Sequence, residues 1–492
     1  MERQPVRGMA GADAVGRTSG GVSRLRFRLG ALSQSRQEMA WFGVSLSAIA
    51  IAMAAFLRVA YLRWDSFETN SFDLAFFDQI IFNTSHGRWF DTSFVTYNFA
   101  GQHLEPILLA FVPAYWLGAG PFTLMVTQAV VGAAAAIPLY LFARRLGLHA
   151  AIAAAGVVAY LANPYLHRAM AFDFHPEVMV ALPAFVAAWA IVAGRRRLGV
   201  ATALSVLLFK EDAVFIALAL AGLMWLQGMR RPAAVTAGVA TVYAAIAVLV
   251  VMPLVRDGQS SDLVERFGYL LPSHSPGDVL LAPLRAAQVL FGLSQIWTTI
   301  VFVIATSAVV LWRPWLLLAV VPGLALALLS VHPQQRHLEF HYAAELVPVA
   351  VIAGLLAAKS LRERLPVTAV AGLVAVPTLL TLAVMNPLGE ALGDPPSAQH
   401  RAAVLTALAM VPSGESVEVS AQSGLLPRLA HRESAHEFPG NAETADWIVV
   451  DRYGFRSSQS LAAGFDERLE TVRETTELVY SQDGVEVFRR VP

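Results

Sequence analysis

Five short stretches of this chain gather residues able to move protons or hold phosphate, and long apolar runs separate them. The first reads Asn70-Ser71-Phe72-Asp73-Leu74-Ala75-Phe76-Phe77-Asp78-Gln79, two acids interleaved with aromatic side chains. His103-Leu104-Glu105-Pro106, Asp173-Phe174-His175-Pro176-Glu177 and Lys210-Glu211-Asp212 follow. The last runs from His332 to Tyr342 and carries Arg336, His337, Glu339 and His341. A carboxylate can take the proton of a hydroxyl nucleophile, which makes Asp73 and Asp78 the candidate bases. Lys210 offers a point charge and Arg336 a planar fork, the two usual protein partners of phosphate. The other candidate substrate contacts are His103, Glu105, Asp173, His175, Glu177, Glu211, Asp212, His337, His341 and Tyr342.

Each stretch also has a plainer reading. Asp73 fits a helix cap or a solvated face, and Lys210-Glu211-Asp212 fits an internal salt bridge that pins a turn. The Asp173–Glu177 stretch is harder to explain that way, because it sets three ionisable groups between apolar segments, where charge is costly and usually functional. The His and Glu spacing of 332–342 matches no standard zinc motif. A divalent metal is compatible with the acids but required by nothing, and no metal ligand is assigned.

The elements that must position these residues are membrane helices. Of 492 residues 56% are hydrophobic and 15% charged, and the mean hydropathy is +0.55, beyond what a soluble core absorbs. Lys plus Arg and Asp plus Glu both number 36, so the balance points to no nucleic-acid partner. With no cysteine, disulfides, thiolate metal sites and Cys nucleophiles are excluded. Residues 1–38 are rich in Gly, Ser and Arg and read as a disordered cytoplasmic leader. The run 41–61 is too long for a signal peptide and reads as a retained first span.

Further apolar stretches near 121–143, 151–171, 178–194, 233–253, 289–311, 315–331, 343–358 and 366–385 approach the ~20 residues that cross a bilayer as helix. The basic clusters Arg144-Arg145, Arg195-Arg196-Arg197, Arg230-Arg231 and Lys359 with Arg362 and Arg364 all fall on the cytoplasmic side by the positive-inside rule. That holds only if Lys210–Asp212 is an outer apex between two short helices and 104–118 does not cross. About eleven spans then make up a multipass domain over 39–387, with 62–103, 172–177, 254–288 and 332–342 as outer loops. The stretch 73–86 reads as an interfacial amphipathic helix.

From 388 to 492 the sequence turns polar, with Asp394-Pro395-Pro396 as a linker. A helix near 398–410 and strands near 416–419, 447–450 and 485–488 predict a small α/β domain, extracytoplasmic by parity. Its glycines make no phosphate-binding fingerprint, which favours scaffolding or contact with an acceptor over catalysis.

The order of first span, acidic loop with Gly87-Arg88-Trp89, His103–Pro106 and the helix end Ala143-Arg144-Arg145-Leu146-Gly147 resembles the GT-C superfamily of membrane glycosyltransferases. Phe72-Asp73-Leu74, Phe77-Asp78-Gln79, Phe174–Glu177, Phe209–Asp212 and His341-Tyr342 look more specifically like a bacterial family of multipass membrane proteins of unknown function affiliated with it, over roughly residues 40–450. The resemblance implies a GT-C-like all-α membrane domain, a polyprenyl-phosphate-linked sugar as donor, and a glycan, lipid or protein acceptor outside the cytoplasm. It places Asp73 near the superfamily's catalytic acid, Asp173 and Glu177 near its second acidic loop, and Lys210 near the basic residue of its broken hairpin. The superfamily often has adjacent Asp-Glu in the first loop, where this chain has Asp73 and Asp78, so the base lies between those two. A transporter or lipid flippase, with inverted repeats and mid-membrane charges, is the rival reading; a non-catalytic cell-envelope assembly partner is a third.

Overall fold

The computed structural model describes residues 19–272, 275–390, 395–454 and 456–491. The first helix, α1 (Ser19–Asp65), is continuous. Residues 19–38, expected as part of a disordered leader, are therefore helical, and residues 1–18 of that expectation lie outside the described residues. No proline interrupts α1 between Arg36 and Asp65, and this apolar segment is 30 residues long. At one end of it Glu38 meets Arg144 at 2.7 Å; at the other Arg63 meets Asp173 at 3.2 Å. The helix thus joins a basic end of the bundle to an acidic one.

All the apolar stretches read from the sequence contain helix, but fewer are continuous than the count of about eleven implies. Among the described residues five helices are long and apolar enough to cross a membrane: Arg36–Asp65, Pro121–Arg145, Arg230–Arg256, Leu293–Trp312 and Val367–Gly389. A sixth results if Ala150–Leu161 and Pro164–Met170, bent by 44°, form one span. The bend is written in the sequence: Asn163 caps the second helix by accepting from the Tyr165 and Leu166 N–H groups, and Pro164 occupies its first turn. Pro176–Val192 and Leu346–Leu361 are shorter, and Pro106–Trp116, only 11 residues, is too short to cross.

The breaks cluster at the acidic end. His175 is extended before Pro176, as a residue preceding proline prefers. Lys210 is extended between the helix Arg196–Ser205, with its 3₁₀ continuation Val206–Leu208, and the helix Val214–Leu226, so two short helices meet at the charged triplet. The stretch expected as one helix over 73–86 is a π-helical turn, Ser71–Ala75, followed by α2 (Phe76–Ser85). Its burial exceeds that of an interfacial helix: Leu74, Ala75, Ile80, Ile81, Asp78 and Gln79 have no exposed surface.

Beyond the bundle lies a five-stranded sheet: β1 (Val419–Ala421), β2 (Ala435–Glu437), β3 (Trp447–Asp451), β4 (Glu477–Gln482) and β5 (Val485–Arg489). The spatial order is β2-β1-β3-β5-β4, parallel across the first three strands and antiparallel across the rest. Three of the strands answer to the expected ones, the first beginning at Val419 rather than 416. The helix Ala398–Met410 packs on one face through Ala403, Val404 and Ala407, and Phe465–Thr475 on the other through Phe465, Leu469 and Val472. The first face also holds Phe67 and Ala75 of the acidic loop, so the small domain and that loop share a core. Of the expected linker, Asp394 lies outside the described residues.

Candidate functional site

Asp73 sits in the π-helical turn, its side chain 19% exposed, with Oδ1 3.3 Å from Nε2 of His175. A single π turn inside helix is a recurrent way to present a functional side chain. The His175 ring stacks on His341, centroids 3.5 Å apart. Its backbone N–H donates to Oε1 of Gln128 at 2.7 Å, and Gln128 Nε2 donates to the Asp173 carbonyl at 3.2 Å. Gln128 thereby fixes the 173–175 loop from the helix Pro121–Ala134. A lone glutamine in that apolar run was the one sequence signal for this role.

Asp173 is wholly buried and accepts from Arg63 Nη2 at 3.2 Å and from the Asn70 N–H at 2.5 Å. It anchors the start of the Asp73 turn and lines neither of the large cavities described below. Asp78 is buried as well, accepting from the Tyr115 hydroxyl at 2.6 Å and meeting Nε2 of His431 at 3.0 Å. The His431 ring stacks on Phe82. Asp78 therefore ties α2 to the Pro106–Trp116 segment and to the small domain, facing away from both cavities.

Below Asp73 lies a cavity of about 390 Å³, lined by His103, Glu105, His175, Glu177, Lys210, Glu211, Asp212, Arg266, His341, Tyr342 and Glu345 among others. Lys210 Nζ donates to Glu177 at 2.8 Å, and His103 Nδ1 lies 2.9 Å from Glu211. Among the described residues both oxygens of Glu105 and Oε2 of Glu177 are buried without a hydrogen-bond partner. Each such acceptor costs about 1–3 kcal/mol unless a ligand or water satisfies it. Glu345 and Arg266 are site residues the sequence reading missed; a carboxylate at the mouth of the 343–358 apolar run was the available clue to Glu345.

Arg336, expected at the phosphate, bonds the Ser330 carbonyl at 2.8 Å and lines neither cavity; His337 is exposed and lines neither. The cations that do line the lower cavity are Lys210 and Arg266, the latter donating to Gln335 Oε1 at 2.8 Å. The cavity continues into an apolar groove of about 420 Å³, sharing Phe215, Ala319 and Val349 with it. The groove follows the helix Val214–Leu226 past Trp225 and Leu226.

Above Asp73, between bundle and small domain, opens a second cavity of about 1200 Å³. Arg63, Arg168 and Glu339 line it from below, and His400, Gln422, Glu437, Asp451 and Tyr453 from the small domain. Phe72, Asp73, His341 and Tyr342 line both cavities. Burial would lower the His400 pKa, but the Asp451 and Asp483 carboxylates, 3.0 and 3.2 Å away, outweigh it and hold it above the ordinary value. Burial pushes the Glu437 carboxyl up, against hydrogen bonds from Ser457 and Ser71. Among the described residues no three His, Asp or Glu side chains converge in a way that could hold a metal ion.

The fold is similar to that of ArnT from Cupriavidus metallidurans in the apo state, with a TM-score of 0.51 at 13% identity, covering 92% of this chain and 98% of that one. The same protein bound to undecaprenyl phosphate aligns at 0.49 and 13% identity, over 91% and 98% of the two chains. An Archaeoglobus fulgidus oligosaccharyltransferase complexed with Zn and sulfate aligns at 0.43 and 14% identity, over 90% and 73%. None of the curated proteins compared matches the sequence. The model of the family described as predicted membrane protein (DUF2079) matches residues 63–487, a span that holds every residue of the site, and this chain is a member of that family.

Proposed function

We propose that this protein is a membrane glycosyltransferase that moves a sugar from a polyprenyl phosphate to an acceptor on the extracytoplasmic side, with Asp73 as the base. The observation that carries the reading is that Asp73 lines two cavities, one within the bundle and one between the bundle and the small domain. The lower one has Lys210 and Arg266 for a phosphate and runs into an apolar groove suited to an isoprenoid chain. Its unpaired carboxylate oxygens are acceptors that sugar hydroxyls would satisfy. The upper cavity is wide enough to admit an acceptor.

Asp73 takes the proton of an acceptor hydroxyl as its oxygen attacks the anomeric carbon. The bond from that carbon to the phosphate oxygen breaks, and the phosphate departs with the electron pair toward Lys210 and Arg266. Phosphate is already a good leaving group, so orientation, one base and preorganised cations suffice. His175 orients the Asp73 carboxylate through the 3.3 Å contact. The basic clusters at the other end of the bundle support a cytoplasmic N-terminus, about eleven crossings and an extracytoplasmic small domain. The gathering of charge at one end, rather than at mid-membrane, disfavours the transport reading.

Donor binding tests the lower cavity. In nanodiscs, Lys210→Gln and Arg266→Gln are each expected to weaken undecaprenyl phosphate binding roughly tenfold, the loss of about one charge-assisted contact. Arg336→Gln is expected to change it little. Equal losses from Arg336→Gln and Arg266→Gln would contradict this assignment.

A further inference from the structure

The parallel half of the small sheet ends in polar residues that all face the upper cavity. Glu437 closes β2, Gln422 follows β1, and Asp451 closes β3. From β1 the chain passes to β2 on one side and then returns to β3 on the other, so the carboxyl ends of β1 and β3 flank a topological switch point. Open α/β sheets bind ligands in the crevice at such a point. Its floor is held rigidly: Gln422 Oε1 accepts from the Asp451 N–H at 2.9 Å, and Asp451 Oδ2 meets His400 Nε2 at 3.0 Å. The crevice is also joined to the proposed base, because Ser71 in the Asp73 turn donates its hydroxyl to Glu437 and its backbone N–H to Ser423.

Aromatic rings stand open around these polar groups. Tyr453 is 75% exposed, Phe72 43% and Phe340 37%, and all three line the upper cavity. Phe340 is held at φ 51°, an unusual conformation for a bulky residue, with its ring stacked on Phe172 at 4.4 Å. Carboxylate and amide acceptors beside exposed rings form a surface that hydrogen-bonds vicinal hydroxyls and covers the C–H faces of pyranose rings.

We infer that this crevice is an acceptor subsite and that the acceptor is a glycan, held between the strand ends and the Tyr453 and Phe340 rings with a hydroxyl presented to Asp73. This rests on the glycosyltransferase reading and adds to it the class of the acceptor and a binding role for the small domain.

The test uses the full chain in nanodiscs and saturation-transfer NMR. The probes are neutral pentaoses of glucose, mannose, galactose and N-acetylglucosamine, alongside a pool of neutral hexapeptides, with undecaprenyl phosphate binding measured on the same samples. At least one pentaose is expected to receive saturation, with affinity reduced about fivefold or more by Tyr453→Ala or Phe340→Ala and retained by Tyr453→Phe. No saturation of any pentaose, an unchanged signal in both alanine variants, or saturation of the peptides instead would overturn the inference. If undecaprenyl phosphate binds and no pentaose does, the glycan subsite alone fails. If a Tyr453-dependent pentaose signal persists with no lipid phosphate binding, the subsite stands and the glycosyltransferase reading fails.

Discussion

Asp73 and Asp78 lie five residues apart in one helical stretch, yet their surroundings give them different work. Asp73 borders both cavities, whereas Asp78 is fully buried with Tyr115 and His431 on one oxygen and, among the described residues, no partner on Oδ2. Asp78→Asn is expected to destabilise the protein by about 1–3 kcal/mol, the usual effect of disturbing a buried hydrogen-bonded group, while Asp73→Asn leaves the thermal midpoint nearly unchanged. Differential scanning fluorimetry of the two variants in one detergent checks this; equal destabilisation would contradict the division. The acids themselves were legible because charge among apolar residues stands out. Their partners were not, since Arg63 reaches Asp173 across 110 positions and Arg266, rather than Arg336, lines the cavity. Such pairings are made by helix packing, which no local spacing encodes.

Local signals did mark where elements break. Pro176 and the charged triplet at Lys210 interrupt helices where the sequence suggested, and Pro106–Trp116 is as short as the topology required, whereas the bend at Asn163-Pro164 falls inside the stretch 151–171 read as one span. The number of continuous spans was less legible, because hydropathy counts apolar residues and does not register the 3₁₀ turns at Val206–Leu208 and Pro314–Ala319. Irregular backbone is tolerated at membrane depth where protein surrounds it, as it surrounds Val206 and Leu207. In the small domain β2 has only three residues and β4 only six, largely exposed, so neither carried a strong periodic signal. The seam between this domain and the acidic loop was invisible to sequence altogether. It passes through Gly424, where an added Cβ would meet the Phe67 carbonyl oxygen well inside van der Waals contact. Backbone cannot yield as a side-chain end does, so Gly424→Ala is expected to cost about 1–3 kcal/mol and to raise the protease sensitivity of the small domain. Limited proteolysis reads it; wild-type resistance would show that the seam is looser than described.

At the scale of the molecule, the small domain closes the upper cavity and its ionisation bears on that closure. His400 is held above the ordinary imidazole value by Asp451 and Asp483, so its stabilising charge is fully present below about pH 6.5 and is lost as pH rises through the folded value. His431, raised by Asp78 against burial, acts in the same direction from the other side of the seam. Wild type is therefore expected to lose thermal stability between about pH 6 and pH 9 by more than His400→Gln does, the difference isolating His400; parallel curves would remove His400 from the account. What unites the two cavities is Asp73, which borders the upper one beside the strand ends and the lower one beside His175. The most direct measurement is to compare membranes carrying wild type or a folded Asp73→Asn variant for consumption of lipid-linked sugars and gain of sugar by envelope acceptors. Removal of the base is expected to slow transfer at least about a hundredfold, with the lipid-linked sugar left unconsumed. Full transfer by the folded variant would contradict the central claim.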